Sequence, residues 1–349
     1  MKFGPLPIAD SVGSIVAHSL RLDGFVLKKG ERITAAHVES LRAAGASEII
    51  VARLEEGDVG EDAAAGSLAR AIAGAHVRVE KPFTGRSNLF AERAGVLVID
   101  EEGINRINDV DETLTVATLA PWKTVVEGEM IGTVKVIPYA APKRALDAAI
   151  QAASHDARYD ANKAFIKVAP FAKKKVGVIS TLLPGLKPAT VTKTLRVMRE
   201  RIAPMGGEVV CDLRTSHETA ALSAAIREAA PQSDIVVVFG ASAITDRRDV
   251  IPLALTTAGG DIVHLGMPVD PGNLLLVGRI DGKPFLGAPG CARSPKENGF
   301  DWVLQRMFAD IDVRASDIRR MGVGGLLMEI VSRGQPRVGQ LPDGTDEND

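Results

Sequence analysis

The chain has 349 residues, of which 46% are apolar and 25% charged, and its formal net charge is −2. Such a composition is typical of a globular protein that is long enough for two or three domains. Aromatic residues make up only 4%, and no basic stripe is present. A nucleic-acid partner would need a basic surface or stacking side chains, so we expect none.

The two cysteines, Cys211 and Cys291, are too few for a disulfide framework and form no C-x-x-C metal motif. The first residues lack the apolar core of a signal peptide, and no run approaches the ~18 apolar residues of a membrane span. We therefore expect a cytoplasmic protein with no membrane partner and no metal site.

Residues 1–80 mix short strands with one clear helix. Apolar residues at helical spacing predict a helix within 30–46, and a strand follows at 47–54. Residues 94–141 hold three β-branched runs separated by Gly, Asp, Asn and Pro, which predicts a small β-rich module. A helix over 142–157, with proline in its first turn, connects this module to the second half.

The second half alternates strands with helices, which favours right-handed βαβ units and a parallel sheet. Strands are predicted at 176–180, 208–213, 234–239, 261–267, 274–280 and 284–288, and helices at 189–207, 217–230 and 296–308. Thr215 and Glu218 fit a capping box for the second of these helices. Ser294 is placed to cap a helix that begins near Pro295.

The segment FGASAITDRRDV follows the third predicted strand, where α/β proteins bind ligands. Small side chains at Gly240, Ala241, Ser242 and Ala243 would let a ligand approach backbone N–H groups, which can hold anionic oxygens. Arg248 and Asp249 follow. Asp249 could accept from the ring N–H groups of a ligand, or it could simply be the N-cap of the next helix, with Arg248 in solvent.

The segment GAPGCARSPKENG gathers several donors around one tight corner. Cys291, Arg293 and Lys296 surround the predicted helix start, where cations are unfavourable unless an anion lies between them. We therefore favour anion binding over a cap alone. Beside Arg293 and the helix end, Cys291 would have a lowered pKa, but an ordinary small core thiol is the role favoured for a single cysteine.

Together these residues resemble the molybdopterin-binding domain of molybdenum-cofactor biosynthesis proteins, a family that includes molybdopterin adenylyltransferase, the molybdotransferase and gephyrin. The family's Gly-Gly-Thr-Gly loop, followed by Arg-Asp and Pro, is similar to GASAITDRRDVIP (240–252). Its Leu-Pro-Gly-x-Pro-x-Ser-x-x-Glu segment is similar to APGCARSPKE (288–297). The resemblance covers about 174–312, and MGVGGLLMEI (321–330) resembles a linker that precedes a cytidylyltransferase domain in a bacterial subgroup.

The resemblance implies a site for molybdopterin, a pterin with a phosphate and a dithiolene. Backbone amides around Gly240–Ala243 and Gly290–Cys291, beside Pro289, would line the pocket. Asp249 would hold the pterin or act as the catalytic residue near the reacting phosphate. Arg248 belongs to the same site, and Arg293, Ser294 and Lys296 would bind the phosphate.

The chain departs from the family at several positions. Ala241 and Ala243 replace glycines, and the loop carries one extra residue. Ser216 and His217 stand where adenylyltransferases open a helix with an acidic residue. The segment STLLPGLKP (180–188) lacks the acids of the molybdotransferase, and Mg²⁺ is held by carboxylates. Binding is therefore favoured over catalysis with Mg²⁺ and a nucleotide.

We expect an α/β fold, a three-layer mostly parallel sheet preceded by a smaller α+β and β-rich region. The predicted divisions are 1–93 (α+β), 94–141 (β-rich), 142–173 (connecting helix and linker), 174–315 (molybdopterin-binding domain) and 316–349 (C-terminal segment with a disordered acidic tail). Three functions stay open: a molybdopterin carrier, an active transferase, and a scaffold for a separately encoded cytidylyltransferase. A molybdoenzyme is a further possible partner, and we expect a homo-oligomer.

Overall fold

The structure is a computed structural model that describes residues 1–22, 25–154 and 165–327. It contains two compact units, which divide the chain between Pro170 and Phe171. The predicted acidic tail and the end of the predicted helix over 142–157 lie outside the described residues. Among the residues described, no helix is long and apolar enough to cross a membrane.

Short strands and four helices make up the described part of unit 1. The helices are α1 (Ala35–Ala43), α2 (Glu61–Ile72), α3 (Glu101–Asn108) and α4 (Lys143–Ser154). The strands are β1 (Lys2–Pro7), β2 (Ile15–Val16), β3 (Leu20–Leu22), β4 (Phe25–Leu27), β5 (Glu48–Arg53), β6 (Asp58–Gly60), β7 (Val77–Val79), β8 (Arg86–Ala91), β9 (Gly95–Ile99), β10 (Leu114–Thr118), β11 (Thr124–Val125), β12 (Met130–Val136), β13 (Ala140–Pro142) and β14 (Ile166–Pro170).

The named strands in the described part of unit 1 all pair antiparallel. The larger sheets have the orders β1-β5-β2, β10-β12-β8-β7 and β11-β9-β14, and β3–β4 and β6–β13 form pairs. The first sheet, the β3–β4 pair and α1 share one core, while α2, α3 and α4 pack with the remaining strands on a second core. Helices α2 and α3 were not predicted; Asp100 caps α3 by accepting the N–H of Gly103 at 3.0 Å.

A six-stranded sheet and five helices make up the described part of unit 2. The strands are β15 (Lys174–Leu182), β16 (Gly207–Ser216), β17 (Ile235–Phe239), β18 (Asp261–Leu265), β19 (Leu276–Ile280) and β20 (Lys283–Ala288). The helices are α5 (Pro188–Ile202), α6 (Thr219–Ala229), α7 (Val250–Thr257), α8 (Gly299–Phe308) and α9 (Ala315–Arg319). The predicted α/β character of the chain is confirmed.

The sheet of unit 2 is mixed. Its order is β16-β15-β17-β20-β19-β18. The first four strands are parallel, whereas β19 is antiparallel to both of its neighbours. Asp281 and Gly282 join β19 to β20 with φ of 50° and 73°, a two-residue hairpin that can only connect antiparallel strands.

Strand β17 shows why helices cover both faces of this sheet. Ile235, Val237 and Phe239 pack with α5 and α8, while Val236 and Val238 pack with α6 and α7. All five side chains are buried, as expected of a parallel strand in the middle of a sheet, which reads as an uninterrupted apolar run.

Both predicted helix caps are wrong. Thr215 lies inside β16, and Glu218 precedes α6 without capping it through its side chain. Ser294 ends a short 3-10 turn, and the next helix, α8, begins five residues later. Asn298 caps α8 in a capping box with Asp301, a pattern with a good acceptor at both positions.

Candidate functional site

Strands β16, β15, β17 and β20 end at the same edge of the sheet, and their following segments form the candidate site. Open α/β sheets bind ligands at this edge. Two segments there carry the predicted site residues. We call residues 240–249, after β17, the β17 loop, and residues 289–296, after β20, the β20 turn.

Arg293 joins the β20 turn to the β17 loop. Its Nη2 donates to the carbonyl oxygen of Gly240 at 2.9 Å, and its Nη1 donates to Thr194 Oγ1 of α5 at 2.7 Å. The guanidinium also lies 5.5 Å from the ring centre of Phe239, and burial lowers the pKa of Arg293. Arg293 is therefore a half-buried tie between segments; its predicted contact with a phosphate stays a prediction.

Arg201 of α5 also binds the β20 turn, and it was not predicted from the sequence. Its Nη1 and Nη2 donate to the carbonyl oxygens of Ala292 and Ser294 at 2.8 and 2.7 Å, and its Nε donates to Asp301 Oδ1 at 2.6 Å. The side chains of Arg201 and Asp301 are only 8% and 10% exposed. Burial raises the pKa of Asp301, and the positive charge of Arg201 opposes that rise.

Thr181, at the end of β15, links three strand ends. Its buried Oγ1 accepts the N–H of Ala241 at 2.8 Å and lies 2.8 Å from His217 Nδ1. The N–H of His217 in turn donates to the carbonyl oxygen of Leu182 at 2.9 Å. The Ala241 amide, predicted to face a ligand, is therefore already bonded to protein.

Asp249 is the N-cap of α7. Its Oδ1 accepts the N–H of Val250 at 2.7 Å, and its Oδ2 accepts the N–H of Thr245 at 3.2 Å. Arg248 is exposed and pairs with Asp246, its Nε lying 2.7 Å from Oδ1. The capping alternative is thus present in the structure, and a catalytic role for Asp249 stays a prediction.

A pocket of about 480 Å³ lies beside the β20 turn. Its walls include Cys291, Ser294, Lys296, Pro271, Glu297 and Leu327. Three predicted site residues therefore share one cavity, whereas Ser242, Ala243 and Arg248 are exposed and do not line it. The β17 loop and the β20 turn are therefore joined by the hydrogen bond from Arg293 to Gly240. They do not face each other across this pocket.

The predicted activation of Cys291 is wrong. No α-helix begins beside this residue, and desolvation by burial raises the pKa of its thiol. The guanidinium of Arg293 points to Thr194 and Gly240. Cys291 is therefore a half-buried thiol whose pKa is raised and not lowered.

Gly240 and Gly290 differ in whether the surrounding structure leaves room for a side chain. A Cβ on Gly240 would lie 2.6 Å from the carbonyl oxygen of Ser242 and 2.8 Å from Ile251 Cδ1, so the β17 loop itself requires glycine there. A Cβ on Gly290 would meet nothing within 4 Å, and Gly290 does not have a positive φ. Local structure therefore does not demand glycine at the exposed start of the β20 turn.

Comparison with known proteins gives partial likenesses. Residues 5–53 match a family described as a domain of unknown function, DUF8806, and no curated protein matches the chain. A molybdopterin biosynthesis MoeA protein from Pyrococcus horikosii is 16% identical, with 88% of this chain and 75% of that chain covered, at a TM-score of 0.32.

Two other solved structures show similar levels of likeness. A molybdenum cofactor biosynthesis protein from Pyrococcus furiosus is 10% identical over 89% of this chain and 64% of that chain, with a TM-score of 0.26. The protein CinA from Thermoplasma acidophilum, of unknown function, is 20% identical over 40% of this chain and 99% of that chain, with a TM-score of 0.28.

Proposed function

We propose that the chain binds molybdopterin or the molybdenum cofactor, in a late step of cofactor synthesis or in delivery to a partner. The observation that carries this proposal is the junction of the two segments that resemble the molybdopterin-binding family. They are some 50 residues apart in sequence, yet Arg293 of the β20 turn donates to the carbonyl oxygen of Gly240 in the β17 loop. Each segment follows the carboxyl end of a parallel strand, at the edge of the sheet where α/β proteins bind ligands.

The pocket beside the β20 turn suits the chemistry of this ligand. Lys296 is exposed, and its ammonium has no hydrogen bond or ion pair with the described residues, so it is available to a phosphate. The hydroxyl of Ser294 and the thiol of Cys291 add polar atoms, while Pro271 and Leu327 supply an apolar wall for a planar ring. Its volume of about 480 Å³ is typical of small-molecule sites.

Gly290 adds a second line of support. It is exposed, and neither its φ nor its neighbours require glycine. A glycine without a structural reason leaves the backbone open to close approach by a ligand. The N–H groups of Ala292 and Ser294 already donate to carbonyl oxygens within the turn, so it is the N–H groups at Gly290 and Cys291 that we propose for anionic oxygens.

Binding is better supported than group transfer. Glu297 is the carboxylate that lines the pocket, and its Oε1 accepts the indole N–H of Trp302 at 2.9 Å. Asp249 uses both carboxylate oxygens to order its own loop. Transfer with Mg²⁺ relies on carboxylates that hold the ion, and these two are engaged in holding the protein.

We expect Lys296→Ala to weaken molybdopterin binding about 10- to 100-fold, because a charge-assisted contact is worth about 1.5 to 3 kcal/mol.

Gly290→Ala is expected to weaken binding by about tenfold or more, because the added methyl group would cover the backbone of the turn, with little change in stability. Anaerobic titration of the purified full chain with molybdopterin, followed by calorimetry, measures both effects.

Lys193→Ala is the matched control, since Lys193 is an exposed lysine of α5 that does not line the pocket. Equal affinity for the wild type, Lys296→Ala and Gly290→Ala would place the ligand elsewhere, and absence of binding would overturn the proposal. Release of pyrophosphate on adding ATP or CTP with Mg²⁺ would instead establish a transferase.

A further inference from the structure

Two neighbouring residues of opposite charge line the pocket beside the β20 turn without pairing with each other. Lys296 and Glu297 are both exposed, and both contribute to its walls. Within the described residues, no ion pair joins them and no other charged side chain pairs with either. A pocket that offers a free cation and a free anion suits a ligand that carries an anionic group and N–H donors on one frame, because a few placed polar groups fix the orientation of a ligand.

The carboxylate of Glu297 is held in one orientation by the protein. Its Oε1 accepts the indole N–H of Trp302 at 2.9 Å. Trp302 belongs to α8 and packs against the core that this helix and α5 share with the sheet. The second oxygen, Oε2, has no hydrogen bond with the described part of the chain. A carboxylate that is fixed through one oxygen therefore presents the other to a ligand.

The other polar side chains of this pocket are engaged or are donors. Asn298 uses both ends of its amide: Oδ1 accepts the N–H of Phe300 and Nδ2 donates to the carbonyl oxygen of Lys296, each at 3.1 Å. Ser294 Oγ accepts the N–H of Lys296 at 3.3 Å, which leaves its hydroxyl hydrogen to donate. Glu297 is therefore the charged acceptor that this pocket offers to a ligand.

We propose that Glu297 determines which ring this pocket accepts, by taking hydrogen bonds from the amino edge of a 2-amino-4-oxo pyrimidine ring. A pterin carries a ring N–H and an amino group side by side at this edge, and a carboxylate has lone pairs for both. Such charge-assisted hydrogen bonds are stronger than neutral ones. The role of Glu297 rests on the proposed function, to which it adds the edge of the ring that is recognised.

The same contact excludes related rings. A ring with an oxygen in place of the amino group loses one of the two donors and turns an acceptor toward the carboxylate. A site built to pair with a donor rejects the analogue that lacks it, because its own polar group is then left unpaired. Lys296 binds the anionic group of either ring, so it does not distinguish between them.

The experiment compares two ligands that differ only at this edge, 6-carboxypterin and 6-carboxylumazine, by titration of the full chain followed through ligand fluorescence. In both, a carboxylate stands in for the phosphate, while the lumazine has an oxygen in place of the amino group. We expect the wild type to prefer the pterin about 10- to 100-fold. Glu297→Gln keeps an oxygen for the indole N–H of Trp302 and puts an amide donor in place of Oε2, so this preference is expected to disappear.

Glu200→Gln is the matched control, since Glu200 is an exposed glutamate of α5 that does not line the pocket. This variant should keep the preference of the wild type. A purely structural role for Glu297 would lower the affinity for both ligands alike, whereas the proposed role changes their ratio. An equal loss for both ligands in Glu297→Gln, or a wild type without preference, would overturn the proposal.

Anaerobic titration of the same variants with molybdopterin separates this role from the proposed function. We expect Glu297→Gln to bind molybdopterin about 10- to 100-fold more weakly than the wild type. Equal affinities would overturn the role of Glu297 and leave the proposed function standing. A wild type that prefers the carboxypterin and does not bind molybdopterin would do the reverse, and one that binds neither would overturn both.

Discussion

Replacing Arg201 by Ala is expected to lower the free energy of unfolding by about 3 to 5 kcal/mol, because it leaves a buried charge without its partner. Asp301 would lose the Nε donor at 2.6 Å, and the carbonyl oxygens of Ala292 and Ser294 would lose theirs. Urea unfolding of the full chain, followed by the fluorescence of Trp302 in a Trp122→Phe background, measures the change.

Arg196→Ala is the control from the same helix. Arg196 and Glu200 are 3.8 Å apart, and their side chains are 69% and 63% exposed. Exposed helical pairs contribute about 0.3 to 0.5 kcal/mol, so this variant should unfold almost as the wild type does. Equal stabilities of Arg196→Ala and Arg201→Ala would contradict the role given to Arg201.

Replacing Arg293 by Ala is expected to cost about 2 to 4 kcal/mol of stability, since two charge-assisted hydrogen bonds are lost and the carbonyl of Gly240 loses a partner. The sequence places Arg293 on the phosphate of the ligand, a role whose loss would weaken binding and leave the fold intact. The structure shows that the side chain spans from the β20 turn to α5 and the β17 loop. Ligand affinity is therefore expected to fall together with stability.

A double-mutant cycle with Thr194→Val isolates one of these contacts. Thr194 Oγ1 accepts from Arg293 Nη1 and donates to the carbonyl oxygen of Thr190 at 2.8 Å. Residues that share a hydrogen bond couple by about 0.5 to 3 kcal/mol, so the two losses of stability should not add. Additive losses would mean that Arg293 does not hold α5 to the turn.

Most elements of unit 2 could be predicted because long apolar runs and helical spacing are local signals. The five-residue helix α9 was not predicted, and neither was the direction of β19, since an apolar run does not state how a strand pairs. The Asp281-Gly282 turn did carry this information, because such a turn at positive φ joins antiparallel strands. In unit 1, α2 and α3 were missed: α2 is rich in alanine and has few large apolar residues at helical spacing, and the eight residues of α3 lie between β-branched runs.

The candidate site could be predicted only in its loops. Pro-Gly and small-residue segments after strands are visible in the sequence, and the structure brings the two segments together through Arg293. Arg201 and Thr181 were missed because their partners are distant in the sequence: Asp301 is 100 residues away and Ala241 is 60. The Cys291 prediction was wrong because it assumed a helix start at Pro295, whereas Asn298 is the better cap.

Amide hydrogen exchange with and without molybdopterin tests the central claim most directly, namely that the ligand binds at the pocket of the β20 turn, to which Arg293 ties the β17 loop. We expect slower exchange on binding at Gly290–Arg293, with a smaller effect in the part of the β17 loop that Arg293 contacts and with unit 1 unchanged. Protection confined to other segments, or no protection at saturating ligand, would contradict it.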